Sequence, residues 1–310
     1  MVKNSKIPIA VIGAGFLGEF HIQQILRIDD FQLVGIYDND RKRLEQIGSK
    51  YKVKIFSTLD DVLSDSPAVS VVVPTGSHHD IAVKALEKGC DVFIEKPISD
   101  CVENANRIIG AHKQGQIVQV GHIERYNAAF IELSRHRPSP KFIEAHRLST
   151  YNNRSMEVSV IHDLMIHDID IANALIASPV EHISAKGVGV ISNTIDIANA
   201  RIAYKSGAVA NITASRISNK KMRKMRLFEK DKYFSINFIS NILETHFIDK
   251  NDKNVKTEKY VSDNHNALYY ELVDFASSIK HSKPPSVGID SAVRALNIAE
   301  SIEKIILENQ

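Results

Sequence analysis

The stretch GAGFLG, residues 13–18, constrains the fold of this chain more than any other feature. It is a complete G-x-G-x-x-G pattern that directly follows the apolar run IPIAVI (7–12) and opens a segment with helical spacing. In such a strand–loop–helix unit the first glycine makes a tight turn, the second lets the backbone approach a pyrophosphate, and the third allows close helix packing. We interpret the stretch as a dinucleotide-binding loop made of Gly13, Gly15, Phe16, Leu17 and Gly18.

The rest of the first 122 residues repeats the alternation of apolar runs and helical patterns. The further apolar runs are 31–38, 68–75, 91–97 and 115–122. The helical patterns between the runs cover 20–27, 41–51, 80–88 and 102–113. Continuous apolar strands separated by helices are typical of βαβ units, so we predict an α/β Rossmann domain with a doubly wound parallel sheet over 1–122.

The pattern changes after residue 123. One helical region is predicted over 159–177, followed by longer alternating runs such as 181–191, 198–218 and 225–239. Within the second of these runs, YKSGAV is typical of a strand–turn–strand connection. We therefore predict a second, α+β domain over 123–310 with a mainly antiparallel sheet.

Composition and charge exclude several classes of protein. The net charge of +2 provides no large basic field for nucleic acid or a membrane surface, and no apolar run reaches the length that a bilayer needs. The two cysteines form no C-x-x-C pair, which fits a reducing compartment, and we expect a cytoplasmic protein. The local basic run 219–228 favours a solvated sheet surface over a diphosphate or nucleic-acid site, because a strand divides its charges between two faces.

The choice of dinucleotide depends on Asp38, which ends the second predicted strand. A carboxylate at this point, 20 residues beyond Gly18, suits the ribose hydroxyls of NAD and repels the 2′-phosphate of NADP. Arg41, Lys42 and Arg43 follow closely and leave NADP as the less favoured alternative.

Polar residues also follow the other predicted strands, in PTGSHH (74–79), EKP (95–97) and GH (121–122). Because ligands of open α/β sheets bind outside the carboxyl ends of the strands, these residues are expected along one edge of the sheet. Lys96 would then lie near the nicotinamide, although a lysine in this position is often only a solvated loop residue.

The stretch IHDLMIHDID (161–170) contains the pair His-Asp twice. On a regular helix, His162 and His167 point about 140° apart, which is poor geometry for a shared metal ion, and we predict no metal site. Asp163 and His167 are four residues apart and share one face. His162 and Asp168 receive no role.

Taken in order, the chain resembles the Gfo/Idh/MocA family of NAD(P)-dependent sugar oxidoreductases. The resemblance rests on GAGFLG, VVVPTGSHHDIAVKALEKGCDVFIEKP, VGHIERYN, DLMIHDID and the tail YYELVDFASSIKHSKPPSVGIDSAVRALNIAESI, and it covers nearly the whole chain. It implies a dehydrogenase with a Rossmann domain and a second domain, 123–310, that has an open antiparallel sheet, binds the substrate and often mediates dimers or tetramers.

The resemblance also implies roles for single residues. Lys96 would hydrogen-bond the reacting sugar hydroxyl, His167 would act as general acid/base, and Asp163 would orient His167 or the sugar; a histidine suits proton transfer because its ordinary pKa lies near neutrality. The residues expected to line the cofactor are Pro74, Thr75, His78, Glu95, Lys96 and Pro97. Those expected to face the substrate are Arg125, Tyr126 and Asn127.

Within the family, VGHIERYNAAF and DLMIHDIDI are most similar to the bacterial UDP-N-acetylglucosamine 3-dehydrogenases. This similarity implies oxidation of the sugar C3 hydroxyl to a ketone, for use by a partner aminotransferase. Three alternatives remain open: a dehydrogenase of a free sugar or polyol, an NAD-dependent glycosidase that oxidises C3 transiently, and a cofactor-binding sensor without turnover.

Overall fold

The computed structural model describes residues 6–151, 158–249, 253–263 and 265–309, and the chain forms two compact units. The first unit comprises the chain up to Ile123 together with Leu268–Val293. The second comprises Glu124–Ala267 and the chain from Arg294 onward. The sequence analysis drew one boundary, after residue 122; the segment 268–293 differs because its apolar side chains belong to the core of the first unit, as Leu272 and Phe275 illustrate.

The first unit contains a five-stranded parallel sheet with the order β2-β1-β3-β4-β5, which confirms the predicted Rossmann architecture. The strands are β1 (Ile7–Ile12), β2 (Phe31–Tyr37), β3 (Ala68–Val71), β4 (Asp91–Glu95) and β5 (Val118–Gly121). All four residues of β3 and of β5 are buried, as expected for strands covered by helices on both faces. The winding direction reverses between β1 and β3, which is where open α/β sheets bind ligands.

Helices connect these strands and complete the first unit. They are α1 (Phe16–Ile25), α2 (Arg41–Tyr51), α3 (Leu59–Asp65), α4 (His78–Glu87), α5 (Val102–Ala111) and, after the strands of the second unit, α8 (Ala267–His281). The sequence analysis missed the short α3, whose first turn is stabilised by a capping box between Thr58 and Asp61. Helix α9 (Ile289–Glu308) contributes residues to both units.

The second unit contains an eight-stranded sheet in the order β13-β12-β11-β10-β6-β9-β8-β7. Its strands are β6 (Phe142–Leu148), β7 (Val180–Val188), β8 (Ile197–Tyr204), β9 (Val209–Ser215), β10 (Met222–Glu229), β11 (Lys232–Asn237), β12 (Ile242–Ile248) and β13 (Val255–Val261). Every neighbouring pair is antiparallel except β6 with β9, so the predicted mainly antiparallel sheet is confirmed.

The turn between β8 and β9 and the basic run 219–228 both belong to this sheet. YKSGAV forms the turn between β8 and β9, where Gly207 has a positive φ of 80° that favours glycine. The basic run lies largely on β10, where Arg223, Lys224 and Arg226 are exposed while Met225 and Leu227 are buried. The strand therefore directs most of its charge to solvent, as the sequence analysis expected.

Two helices of the second unit remain: α6 (Ala128–Arg135) and α7 (Ile166–Ile176). A π-helical turn, Ile161–Met165, leads directly into α7. Among the described residues, no helix combines the length and apolar character needed to cross a bilayer.

Candidate functional site

A cavity of about 640 Å³ opens in the first unit beside the glycine-rich loop. Its walls come from the carboxyl ends of β1, β2 and β3 and from the helices that follow them. The lining residues are Ile12, Gly13, Gly15, Tyr37, Asp38, Asn39, Asp40, Arg43, Leu59, Val72, Val73, Pro74, Ser77, Asp80 and Ile81. The cavity thus lies at the point where the winding of the sheet reverses.

The three glycines of the loop differ in what surrounds them. A Cβ added at Gly13, where φ is 103°, would lie 2.2 Å from the Val72 carbonyl oxygen, and one added at Gly18 would lie 1.8 Å from the Gly13 carbonyl oxygen. At Gly15 no atom beyond the adjacent residues of the chain lies within 4 Å of the added Cβ, and this residue lines the cavity. Gly13 and Gly18 therefore allow the chain to pack closely, and Gly15 leaves space for a ligand to approach the backbone.

The Asp38 carboxylate is fixed beside this loop. Its Oδ2 accepts a hydrogen bond of 2.6 Å from the Ala14 backbone N–H, and its Oδ1 accepts one of 2.8 Å from the Asp40 N–H. Asp38 lines the cavity together with Gly15, so the acidic group and the open glycine border the same space. This combination, at the N-terminus of α1, fits a dinucleotide with its pyrophosphate at Gly15 and a ribose at Asp38.

Four further residues predicted to bind the cofactor lie in the first unit, some at the cavity wall and some at the start of a helix. Pro74 lines the cavity, and Thr75 begins a short 3₁₀ turn, Thr75–Ser77, that leads into α4. Phe16 and Leu17 are the first two residues of α1, and their side chains are 58% and 55% exposed. Their backbone therefore forms the helix N-terminus while their side chains face solvent.

The EKP turn lies at the carboxyl end of β4, at the same edge of the sheet, and its Glu95 side chain contacts the buried His21 of α1. The ring of His21 is 1% exposed; its Nδ1 lies 3.0 Å from Ser70 Oγ and its Nε2 lies 3.1 Å from Glu95 Oε1. Glu95 Oε2 accepts a hydrogen bond of 3.1 Å from the Lys96 backbone N–H. Burial raises the pKa of the Glu95 carboxyl, but the His21 hydrogen bond and the charges of His21 and Lys96 outweigh burial and leave it below its ordinary value. This chain of contacts fixes the backbone that carries the half-buried Lys96.

His78 joins this turn to the loop after β3. Its Nδ1 lies 2.8 Å from the Pro97 carbonyl oxygen and its Nε2 lies 2.9 Å from the Val73 carbonyl oxygen. The side chain is 1% exposed, and burial lowers the pKa of its ring. The sequence analysis expected His78 to line the cofactor; the structure instead uses its ring to hold two loops together, and we do not assign it a direct cofactor contact.

In the second unit, Asp163 and His167 lie at the start of one helix, but the helix is not regular. Ile161–Met165 forms a π-helical turn in which the Ile166 N–H bonds to the Ile161 carbonyl, five residues back. The sequence analysis assumed 100° per residue throughout 159–177, and the wide turn corrects that assumption for the part that contains Asp163. Asp163 is half-buried and His167 is 9% exposed.

Two arginines, the buried Arg147 and the partly buried Arg125, pair with the aspartates that follow His167. Arg147 on β6 donates through Nε and Nη2 to both Asp168 oxygens, each at 2.8 Å, and through Nη1 to Glu124 Oε1 at 2.6 Å. Arg125 donates to both Asp170 oxygens at 2.6 and 3.2 Å. Burial raises the pKa of Asp168, although Arg147 opposes this shift. The two ion pairs hold α7 in place on either side of Ile169.

These contacts bear on the residues predicted to face substrate. Arg125 is bound to Asp170 and holds α7. The Asn127 side chain accepts a hydrogen bond from the Ala129 N–H at the start of α6 and donates to the Phe238 carbonyl, and the residue is 6% exposed. Tyr126 is equally buried, and its carbonyl lies 2.6 Å from His265 Nε2. We therefore remove Asn127 from the candidate site, because its amide already serves as a helix cap.

His162 has two polar neighbours and belongs to no metal-ligand cluster among the described residues. The His162 Nδ1 lies 3.3 Å from Ser159 Oγ and 3.5 Å from Glu303 Oε2, contacts that give this histidine a place within the second unit. Over the described ranges of the chain, no three His, Cys, Asp or Glu side chains are grouped as metal ligands would be.

Comparison with known proteins extends the geometric findings. Residues 7–122 match the model of an oxidoreductase family with an NAD-binding Rossmann fold, and residues 113–232 match the C-terminal domain model of the GFO/IDH/MocA family. The chain belongs to the Gfo/Idh/MocA family of oxidoreductases. Within this family it is 33% identical, over 88% of its own length and 89% of the relative's, to UDP-N-acetylglucosamine 3-dehydrogenase of Acidithiobacillus ferrooxidans.

A solved structure of that Acidithiobacillus ferrooxidans dehydrogenase has a TM-score of 0.92 to this chain at 30% identity, covering 97% of this chain and 98% of the other. Myo-inositol 2-dehydrogenase of Thermotoga maritima is 24% identical over 97% of each chain. The likeness therefore spans both units, and this member of the Gfo/Idh/MocA family is an NAD-binding oxidoreductase.

Several residues of this Gfo/Idh/MocA protein that support the candidate site carry no motif of their own. His21 reaches Ser70 and Glu95 across 49 and 74 residues of sequence, and Arg147 reaches Asp168 across 21. Each belongs to a helix or strand whose neighbours are known only once the sheet order is known. The sequence did contain one indication of the ion pairs of Asp168 and Asp170, because charged residues at buried positions of an apolar helix require partners of opposite charge.

Proposed function

We propose that this protein oxidises a sugar hydroxyl with NAD, and that its substrate is a UDP-N-acetyl-hexosamine oxidised at C3 to the 3-keto sugar. The observation that carries the proposal is the 33% identity to a UDP-N-acetylglucosamine 3-dehydrogenase over 88% of the chain, which includes both units. Similarity confined to the Rossmann unit would support only cofactor binding, because functions are determined by sites rather than by folds.

The cofactor would bind in the cavity beside the glycine-rich loop, where it supplies the acceptor for a hydride. Gly15 would allow the pyrophosphate to reach the N-terminus of α1, whose N–H groups carry partial positive charge. The Asp38 carboxylate would accept hydrogen bonds from the adenosine ribose hydroxyls, and Pro74 would form part of the wall. We propose NAD rather than NADP, since Asp38 would repel a 2′-phosphate.

The protein's own groups would manage the proton and the developing charge. In this proposal a ring nitrogen of His167 takes the proton of the sugar hydroxyl as the C–H bond is broken, and Asp163 orients the ring or the sugar. The Lys96 ammonium hydrogen-bonds the same oxygen and stabilises its developing negative charge. The position of Lys96 is supported by the contacts of Glu95 and His21, and that of His167 by the arginine pairs of Asp168 and Asp170.

A second candidate is a dehydrogenase of a free polyol. It is favoured by the similarity to myo-inositol 2-dehydrogenase over 97% of each chain, although at only 24% identity. Such an enzyme would use the same proton and hydride chemistry and would lack any need for a nucleotide on the substrate.

The test is an NAD⁺ reduction assay with purified full-length protein over a panel of UDP-sugars, free sugars and inositols. The proposal expects UDP-N-acetylglucosamine or a related UDP-N-acetyl-hexosamine to give the highest kcat/KM and net formation of reduced cofactor. Turnover of an inositol with no response to any nucleotide sugar would favour the second candidate. Release of a leaving group without net cofactor reduction would indicate the glycosidase instead.

We further propose a homodimer or homotetramer in the cytoplasm, with an aminotransferase that consumes the keto product. For the oligomer, support comes from one face of the eight-stranded sheet, where a row of partly exposed rings crosses four strands. Phe228 lies 5.7 Å from Phe142 and 5.1 Å from Tyr233, and Tyr233 stacks on His246 at 4.7 Å, measured between ring centroids. A sedimentation measurement that gives the mass of one chain would contradict the oligomer.

A further inference from the structure

Among the described residues that line the cavity of the first unit, Arg43 is the one with a positively charged side chain. It lies on α2, shortly after Asp38, and a little under a third of its side chain is exposed. A guanidinium is the group that proteins commonly use to bind a phosphate through two parallel hydrogen bonds. On position alone, Arg43 would therefore favour the extra phosphate of NADP.

The contacts of Arg43 oppose this use. Its Nε donates to the Ala14 carbonyl at 3.0 Å, its Nη1 donates to Gln46 Oε1 at 3.0 Å, and its Nη2 donates to Glu19 Oε2 at 2.7 Å. All three nitrogens of the guanidinium are therefore engaged, one of them with a carboxylate. A phosphate could use only the two remaining N–H groups, one on each terminal nitrogen, of a guanidinium whose orientation is fixed by three partners and whose charge is already compensated by Glu19.

Glu19 is itself fixed by further donors. Besides Arg43, its carboxylate accepts hydrogen bonds from Lys50 Nζ at 2.6 Å and from the Tyr51 hydroxyl at 2.9 Å. The Lys50 and Tyr51 hydrogen bonds, with that of Arg43, lower the pKa of Glu19 to about 2, so the group is ionised throughout the neutral range. Its negative charge therefore remains next to Arg43 under all ordinary assay conditions.

We propose that Glu19 determines cofactor specificity by compensating the charge of the Arg43 guanidinium and fixing its orientation, so that this cation is not free to bind a 2′-phosphate and the protein prefers NAD to NADP. This inference rests on the proposed dinucleotide site and adds a residue outside the β2 end to its specificity. Asp38 would repel the 2′-phosphate directly. Glu19 pairs with Arg43, the cation that could otherwise compensate for that repulsion.

The test measures binding, not turnover, so that it does not depend on the identity of the sugar. Dissociation constants of NAD⁺ and NADP⁺ are determined by titration calorimetry for the full-length protein and for Glu19→Ala. We expect Glu19→Ala to raise the affinity for NADP⁺ relative to NAD⁺ by about tenfold, the value of one charge-assisted hydrogen bond. Glu19→Gln, which keeps a hydrogen-bond acceptor and removes the charge, should change the ratio in the same direction by less.

Two further variants make the outcome specific. Glu45→Ala removes a different carboxylate, one on α2 that pairs with the exposed Arg41, and should leave the ratio within twofold of the wild type. The double variant Glu19→Ala with Arg43→Ala should lose the gain, because the freed guanidinium is absent. A Glu19→Ala ratio equal to that of the wild type, or a gain that survives in the double variant, would overturn the proposal.

The calorimetry also separates this proposal from the proposed function. Tight NAD⁺ binding with the expected ratios would support the role of Glu19 even if no sugar were oxidised. Failure of the wild type to bind either dinucleotide would overturn the cofactor site and the specificity proposal together.

Discussion

His167 is the residue on which the proposed chemistry depends most directly. Replacement by Ala removes the group that takes the hydroxyl proton, and we expect kcat to fall by about 10²–10⁴, the usual contribution of a general base. The dissociation constant of NAD⁺ should remain within a factor of two, because the cofactor cavity lies wholly in the first unit. Steady-state kinetics and calorimetry on the same preparation provide the two measurements.

The control for that variant is His182→Ala, which removes an exposed histidine of β7. It should change neither kcat nor cofactor affinity. If His167→Ala retained the turnover of this control, His167 would have no part in proton transfer.

Asp196 provides a pH prediction at the scale of one residue. Burial raises the pKa of this carboxyl, but hydrogen bonds from the N–H groups of Val190, Ile191 and Ser192, at 2.8 to 2.9 Å, outweigh burial and hold it well below the ordinary value. A lowered folded-state pKa stabilises the protein above the unfolded pKa of about 4, and this stability is lost as the pH falls further.

We therefore expect Asp196→Asn to be less stable than the wild type at pH 7, with a difference that narrows as the pH approaches 3. Urea unfolding at both pH values measures this difference, and Glu258→Gln, at an exposed carboxylate of β13, is the matched control. A difference that stays constant between pH 7 and pH 3 would contradict the assignment.

At this scale the sequence identified the residues that carry motifs and missed those that support them. Gly13, Gly15, Asp38 and Pro74 line one cavity, as their spacing and the resemblance indicated. The contacts of His21 with Glu95 and of Glu19 with Arg43 could not be predicted, because they join α1 to other elements whose distance in space depends on sheet order. His78 shows the converse, since its motif was visible but its burial was not.

Among the elements, α7 connects the candidate catalytic residues to the sheet of the second unit. Arg147 on β6 is 2% exposed and pairs with Asp168 and Glu124. Removing one partner of a buried pair leaves an uncompensated charge, so Arg147→Met should lower the local stability of α7 by about 3–5 kcal/mol. Hydrogen exchange of the α7 amides, read by mass spectrometry, measures this change.

Arg41→Met is the matched control, because Arg41 pairs with Glu45 on the solvent-exposed side of α2. It should change the stability by less than about 1 kcal/mol. Protection of α7 that is as high in Arg147→Met as in Arg41→Met would show that the buried pair does not anchor the helix.

The strands were the most predictable elements and the short helices the least. Five apolar runs became β1 to β5 because a strand covered on both faces must be apolar throughout. Helices α3 and α6 were missed, although Thr58 and Asn127 begin them with standard capping contacts. The π-helical turn before α7 has no signal in the periodicity, because one wide turn shifts the pattern by only a single residue.

At the scale of the whole molecule, the chain returns to the first unit over Leu268–Val293, after the eight strands of the second unit, and rejoins the second unit from Arg294 onward. Phe275 of α8 is fully buried, with its ring centroid 5.9 Å from that of Phe93 and 6.2 Å from that of Phe31. We expect Phe275→Ala to destabilise the first unit by about 3–5 kcal/mol, the usual cost of a buried phenylalanine. Hydrogen exchange of the β1 and β4 amides measures the effect where the core lies.

Tyr270→Ala, at a 46% exposed position of the same helix, should have a far smaller effect on those amides. Equal protection of β1 and β4 in the two variants would mean that the first unit folds independently of the returning segment. The sequence did not predict this return, since an apolar helix face does not identify the sheet that it covers.

The central claim is that this protein transfers hydride from C3 of a UDP-N-acetyl-hexosamine to NAD⁺. The most direct test supplies UDP-N-acetylglucosamine with deuterium at C3 and measures the mass of the reduced cofactor. One deuterium in each reduced cofactor, with the 3-keto sugar nucleotide as the other product, is the result that we predict. A reduced cofactor of ordinary mass, or no reduction of NAD⁺ by this substrate, would contradict the claim.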